Sequence, residues 1–256
     1  LEFRRVLFRS SFTLFYESPN NVPPPYHLEA VFRFSDFLSP NPKVRVDIQY
    51  LDREDFTKEE LLGEGLTEEN SFQWEGAISL AWRNRMATNF EKYKSGSCNP
   101  KDAEPFITME LADTTTRVPR FLDMEEGLIQ EFMQAVFEFA GKELPLYLGF
   151  QFKNEFDVWN RIEGEVSFFE LNYRYTNSSG QIEVLSDWEQ LQELMNLVFI
   201  AEFQSEKAKE DLTKNEVFAV FPGDGRWYIA GDSLRKPSGN NQYFDNLEER
   251  LQTLFS

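Results

Sequence analysis

The chain has 256 residues, a formal net charge of −18 from 26 Lys and Arg against 44 Asp and Glu, and only one histidine and one cysteine. Such an acidic surface repels nucleic acid backbones and anionic membranes, which require a basic footprint. The longest apolar run, 197–201, is far shorter than the ~20 residues of a membrane helix. A lone Cys98 excludes an internal disulfide, and zinc sites need several His or Cys ligands. We expect no cofactor, no metal, no nucleic acid or membrane partner, and a cytoplasmic location.

The first ten residues differ from the rest of the chain. Residues 1–10 carry three arginines and one glutamate, and they look like the read-through of a sequencing adapter. An expression scar or a genuine basic arm is the alternative. Because added segments carry no information about the fold, we read the native sequence from Ser11 and expect its true N-terminus to be missing.

Alternating apolar residues predict strands in the first third of the chain. The alternation covers 28–35 and again 44–50, and Ser39-Pro-Asn-Pro42 between them has turn chemistry. These two strands are therefore expected to form an antiparallel hairpin. Another strand is expected over 12–16, ahead of a triple proline that marks a loop.

Helix starts are predicted where a capping residue precedes a glutamate by three positions, the spacing of a capping box. The capping residues are Thr57, Asp123, Ser186 and Asp245. The helix after Asp123 is the clearest, because apolar residues recur at a period of 3.6 up to Ala140 and Gly141 can close it. The spacing of Ile78, Trp82, Met86 and Phe90 predicts a further helix after Gly76.

Strands return in the second half. A strand is predicted over 146–152, and a long one from Glu163 to Thr176, joined by a turn at 177–180 to 181–185. The apolar parity of the long strand changes at 168–169, so a bulge or a change of covering layer is expected there. A last hairpin is predicted around Pro222-Gly-Asp-Gly225.

These elements predict an α+β fold of antiparallel, hairpin-rich sheets, because strands and helices do not alternate strictly. We expect about ten strands and four or five amphipathic helices. The segment 113–120 is the predicted boundary between an N-terminal half, 11–118, and a C-terminal half, 119–256. A single continuous domain stays open as the alternative.

Carboxylates are the only catalytic groups in good supply. Glu163 and Glu165 stand two residues apart on one strand face, roughly 7 Å apart by strand rise, which suits a water held between two carboxylates in inverting glycoside hydrolysis. Arg161 on the same side can neutralise them, so a solvated charged face is the alternative. His27 and Cys98 are expected to be ordinary surface or loop residues without catalytic partners.

Aromatic residues make up 16% of the chain, and most are expected in the core. Because aromatics are enriched in interface cores, an exposed binding patch is the alternative, with Trp159, Trp227 and Tyr228 as candidates. Trp227 and Tyr228 are consecutive in one predicted strand and point to opposite faces. One of them is therefore expected to meet solvent or a partner.

The sequence favours a non-catalytic protein-binding module. Its acidic charge would suit a cationic protein partner, as in an inhibitor or an immunity protein. The alternative is a carboxylate-dependent hydrolase acting on carbohydrate, with Glu163 and Glu165 as the catalytic pair. The identity of the partner and the oligomeric state stay open.

Overall fold

The computed structural model describes residues 11–95, 106–112, 115–212 and 217–255. The 1–10 segment, Cys98 and the first two residues of the predicted 113–120 boundary lie outside this range. The chain forms two compact units, one up to Ala140 and one from Gly141. Both units combine antiparallel strands with helices, which confirms the predicted α+β fold.

The described part of the first unit contains a seven-stranded sheet in the order β4-β3-β2-β1-β6-β7-β5. Its strands are β1 (Phe12–Glu17), β2 (Leu28–Ser35), β3 (Lys43–Tyr50), β4 (Ser71–Ala77), β5 (Lys94–Ser95), β6 (Phe106–Leu111) and β7 (Thr116–Val118). Its helices are α1 (Lys58–Gly63), α2 (Leu80–Phe90) and α3 (Leu122–Phe139). The antiparallel pairing of β2 with β3 confirms the predicted hairpin.

One face of the first sheet carries the core of this unit, because alternate strand residues point to the same side. The rings of Phe32 and Phe34 lie 5.7 and 6.0 Å from that of Phe132 in α3. The opposite face carries the ion pair between Arg33 and Asp47. Helix α3 therefore packs on the apolar face of the sheet.

Helix α3 belongs to the first unit by its contacts. The ring of Phe132 lies 5.1 Å from that of Trp82 in α2, and Phe137 lies 4.9 Å from Phe72 in β4. The predicted boundary at 118 places this helix in the C-terminal half, whereas the contacts divide the chain after Ala140. Helix α3 is part of the first unit because its apolar stripe is buried against the first sheet.

The described part of the second unit contains a six-stranded sheet in the order β11-β10-β9-β8-β13-β14 and a ribbon of β12 and β15. Its strands are β8 (Leu146–Lys153), β9 (Trp159–Ser167), β10 (Asn172–Thr176), β11 (Ile182–Leu185), β12 (Glu202–Phe203), β13 (Ala219–Phe221), β14 (Tyr228–Ile229) and β15 (Leu234–Arg235). Its helices are α4 (Trp188–Phe199) and α5 (Tyr243–Phe255).

The prediction of one long strand from Glu163 to Thr176 is wrong. β9 ends at Ser167, and a turn over 168–171 leads back into β10, which pairs with β9 in antiparallel fashion. Leu171 in this turn has φ 54°, a left-handed conformation that leucine rarely adopts. The change of apolar parity therefore marks a hairpin turn, which lacks the usual Gly or Asn signal.

The predicted helix starts are correct in number but shifted in position. Thr57 caps α1 and forms the predicted capping box with Glu60. The other predicted caps are wrong by one to three positions, because the helices begin at Leu122, Trp188 and Tyr243. Asp123 and Asp245 lie in the first turn, where a carboxylate also stabilises the helix dipole, so spacing alone does not distinguish the two positions.

Candidate functional site

One face of the second sheet packs against helices and the other does not. On the helical side, Phe255 of α5 contacts Tyr175 and Phe150 with ring centroids 5.1 and 6.4 Å apart. We call the opposite side the open face, and the register of the strands identifies the residues on it. Its rows across the strands are Gln151–Arg161, Gly149–Glu163–Thr176–Ile182 and Tyr147–Glu165–Arg174–Val184.

Trp227 covers the β8 side of the open face. A Cβ atom at Gly149 would meet Cη2 of Trp227 at 3.0 Å, so the close approach of the indole depends on the missing side chain. Trp227 also belongs to a small buried cluster with Leu212 and Ala219. The guanidinium of Arg161 lies over its ring, 4.6 Å from the centroid, in a cation–π arrangement.

Arg161 and Glu163 neutralise each other, as the sequence suggested. Nε of Arg161 donates to Oε1 of Glu163 at 2.5 Å, and its Nη1 lies 4.0 Å from the carboxylate of Asp211. Glu165, on the same strand face, is exposed. The two glutamates predicted as a catalytic pair therefore have different surroundings, since one is ion-paired and the other faces solvent.

A crevice of about 360 Å³ opens beside this ion pair. Its lining includes Gln151, Trp159, Arg161, Glu163 and Ser178, and Glu165 is not part of it. Hydrogen bonds fix the rim, because the Ser178 hydroxyl accepts from the backbone N–H of Arg161 at 2.6 Å. The volume is at the lower end for small-molecule sites.

The structure separates the three aromatic candidates. Trp159 lies half-buried in the crevice. Trp227 and Tyr228 are only 2% and 1% exposed, so the expectation that one of them meets solvent is wrong. Arg161 covers the first, and Phe203 packs on the second with ring centroids 4.9 Å apart. Direct contact of either residue with a partner would require rearrangement.

The far side of the open face ends at β11, the edge strand. Its Ile182 and Val184 are 67% and 52% exposed, and no further described strand pairs with β11. Sequence analysis placed the strand but missed these two residues. Their alternation with Glu183 and Leu185 could have identified them. The partners of those two residues, Tyr175 and Tyr173, point to the helical side, so Ile182 and Val184 point to the open face.

The backbone of β11 presents hydrogen-bonding groups to the outside. The N–H of Asn177 donates to the carbonyl of Gln181 at 2.9 Å, which fixes the register of the hairpin between β10 and β11. Antiparallel pairs alternate between hydrogen-bonded and non-hydrogen-bonded positions. Ile182 and Val184 therefore occupy non-hydrogen-bonded positions opposite β10 and direct their N–H and C=O groups away from the sheet.

The chain around this edge is acidic. From Tyr175 to Glu206 it has six carboxylates and no lysine or arginine. Two arginines from outside this stretch offset part of the charge, because Arg174 lies opposite Val184 on the open face and Arg250 forms an ion pair with Glu193. In the middle of β11, the exposed Glu183 accepts hydrogen bonds from the Tyr175 hydroxyl at 2.8 Å and from Asn177 Nδ2 at 2.6 Å. These bonds hold a negative charge beside the outward backbone groups.

A buried carboxyl lies in the first unit and was not anticipated. Glu125 is in the first turn of α3, and its burial raises its pKa to about 7. The hydroxyl of the buried Tyr93 faces this carboxyl and partly opposes the rise in its pKa. The adjoining space of about 10 Å³ has room for about one water. Sequence analysis missed Glu125 because acids in first helical turns usually face solvent.

The described residues contain neither a cluster of metal ligands nor a membrane-spanning helix. No group of three or more His, Cys, Asp or Glu among them could hold a metal ion, and none of the described helices is long and apolar enough to cross a membrane.

His27, which was predicted to lie on the surface, has a largely buried side chain, with Nδ1 3.5 Å from Oδ2 of Asp52.

Comparisons with known proteins give no relative that informs function. No protein-family model matches the chain, and no curated protein matches it significantly. Among solved structures, a Nitrosomonas europaea protein proposed to be AttH aligns at 7% identity over 85% of this chain and 78% of that one, with a TM-score of 0.17. So low a TM-score carries no argument about fold or function.

Proposed function

We propose that the chain is a protein-binding module and that its binding surface is the β9–β11 side of the open face. The exposure of Ile182 and Val184, side by side on an edge strand, carries this proposal. Single exposed apolar residues are ordinary, but adjacent β-branched residues beside unpaired backbone groups are typical of surfaces that become covered. Covering one such side chain contributes about 2 kcal/mol.

The partner that suits this surface is a cationic protein. The net charge of −18 attracts cations at long range, and the exposed Glu183 adds a carboxylate within β11 itself. Complementary charge mainly raises the association rate and rejects like-charged competitors. We place this activity in the cytoplasm, where the scarcity of cysteine fits a reducing environment.

The alternative of a carboxylate-dependent hydrolase has less support from the geometry. The crevice brings Glu163 and Trp159 together, as a carbohydrate site would require. However, the ion pair with Arg161 occupies Glu163, and Glu165 lies outside the lining. Two carboxylates that act on one glycosidic bond must both reach it. Loss of a measured glycosidase activity in Glu163→Gln would favour this alternative over binding.

The proposal is tested with the immobilised protein and an extract of its source cells. A basic protein retained by the wild type should be lost with the double variant Ile182→Lys and Val184→Lys, because the lysines repel it and remove the apolar contact. The matched control is Leu62→Lys in α1, which changes a residue of similar exposure in the first unit. Retention by this control and release by salt are expected.

Two outcomes would contradict the proposal. Equal retention of the same basic protein by the double variant would show that binding does not use the open face. Loss of the protein with Leu62→Lys as well would show that overall charge, rather than the surface at β11, controls binding.

A further inference from the structure

The edge of β11 also specifies how a partner would attach. We propose that β11 accepts an extended segment of the cationic partner as an additional strand, in which apolar residues alternate with lysine or arginine. This inference rests on the proposed function and adds to it the mode of binding and the residue pattern of the ligand.

The backbone geometry supports strand addition. Ile182 and Val184 direct their N–H and C=O groups outward, by the register that the Asn177–Gln181 hydrogen bond fixes. An incoming strand can therefore form hydrogen-bonded pairs with both residues, which is the basis of recognition by β-augmentation. Main-chain hydrogen bonds supply attachment without regard to sequence, so selectivity has to come from the side chains.

The side chains of β11 define the pattern of the ligand. Ile182 and Val184 lie on the open face, so the matching positions of the added strand should be apolar. Between them, Glu183 points to the other side, where the facing residue occupies a non-hydrogen-bonded pair with closely spaced side chains. A lysine or arginine there forms an opposite-charge pair, which stabilises a sheet, whereas like charges destabilise it.

The same rule argues against a second copy of this chain as the occupant. Symmetric antiparallel pairing of two β11 strands about residue 183 would place Ile182 opposite Val184 in both copies. It would also place the two Glu183 carboxylates directly opposite each other. A cationic strand relieves this repulsion, so a hetero-partner is favoured over self-association.

The first sheet provides an internal control, the edge strand β4. Hydrogen bonds from Tyr50 N to Asn70 O and from Ile78 N to Pro42 O fix its register. The same alternation then directs the backbones of Ser71, Gln73 and Glu75 outward. β4 thus has the backbone geometry of β11, but its exposed side chains are polar. Strand addition is expected at β11 and not at β4.

The test measures fluorescence anisotropy with a labelled seven-residue peptide of alternating valine and lysine. Val184→Pro removes an outward N–H that bonds to nothing within the sheet, and proline is tolerated at such edge positions. We expect this variant to bind the peptide at least about tenfold more weakly than the wild type, because one hydrogen bond is lost and the edge is blocked. The matched control, Gln73→Pro in β4, should bind like the wild type.

Two further peptides separate the mode of binding from simple charge attraction. A peptide with the same valines and lysines in two blocks cannot alternate, and one of alternating valine and glutamate is repelled; both should bind at least about tenfold more weakly. Equal binding of the block peptide, or unchanged binding by Val184→Pro, would overturn strand addition. If the natural partner is lost with the open-face lysine variants but kept by Val184→Pro, strand addition fails while the proposed function stands.

Discussion

The two edge strands β4 and β11 both leave backbone groups unpaired, but they differ in the side chains beside those groups. Each strand lies at the edge of a sheet that has helices on one face, and each directs alternate backbone N–H and C=O groups outward. On β4 the residues at these positions are Ser71, Gln73 and Glu75, whereas on β11 they are Ile182 and Val184. Polar or charged side chains on an exposed edge oppose unwanted pairing. β4 is protected in this way, and β11 is not.

The proposed function accounts for this difference between the two edges. β4 has polar residues at its outward positions, whereas β11 has apolar residues there, with the exposed Glu183 between them. Under this proposal, we expect β11 to repel a second copy of itself and to accept a cationic strand. The surface is thus explained by the combination of apolar side chains, outward backbone groups and local charge, and none of these alone would suffice.

The largest expected effect concerns the buried support of the open face. Trp227→Ala should lower the free energy of unfolding by about 3–5 kcal/mol, because it leaves a cavity above Gly149 and removes the platform of Arg161. Ile182→Ala on the exposed edge should change it by less than about 0.5 kcal/mol. Urea unfolding followed by fluorescence and circular dichroism measures both. Similar losses in the two variants would mean that Ile182 is part of the core.

The next largest expected effect is a pH dependence of stability in the first unit, caused by Glu125. Burial raises the pKa of Glu125 from its ordinary 4.5 to about 7, so the folded protein holds a proton that the unfolded chain releases in this range. Its contribution to stability is therefore greatest at low pH and falls as the pH rises from about 4.5 to 7, by roughly 3 kcal/mol in total.

Replacing this carboxyl tests the assignment directly. Glu125→Gln keeps the shape but cannot ionise, so it should stabilise the first unit at pH 8 by roughly 3 kcal/mol and have little effect at pH 4.5. Urea unfolding at the two pH values measures this difference. Glu59→Gln, at an exposed acid of α1 in the same unit, serves as the control. A stabilisation by Glu125→Gln that is the same at both pH values would show that Glu125 does not titrate as proposed.

A smaller effect comes from changing β4 into a copy of β11. Gln73→Ile with Glu75→Val should give the first sheet a weak second site for the alternating valine–lysine peptide. The gain is expected to be a fewfold increase in binding, about 1 kcal/mol or less, since β4 lacks a facing acid between these positions. It is best measured in the Val184→Pro background, where β11 is blocked. No gain at all would show that apolar side chains at an open edge do not decide binding.

The sequence predicted the helices and strands better than it predicted turns, side-chain burial and the position of each strand in its sheet. The period-two pattern of 28–50 yielded the β2–β3 hairpin, and the stripe of α3 was visible because both patterns reflect direct burial. The turn over 168–171 was missed because Leu171 adopts a left-handed conformation without a glycine. Burial of Trp227 depends on Gly149 and Arg161, which are distant in sequence. The exposed edge of β11 depends on strand order, and one-dimensional patterns do not contain it.

Amide hydrogen exchange with and without the alternating valine–lysine peptide tests most directly whether β11 is the binding edge. Without peptide, the outward amides of Ile182 and Val184 and those of Gln73 and Glu75 should all exchange rapidly. At saturating peptide, exchange at Ile182 and Val184 should become at least about tenfold slower, with Gln73 and Glu75 unchanged. Equal protection of both edges, or protection of neither while the peptide is bound, would contradict the proposed role of β11.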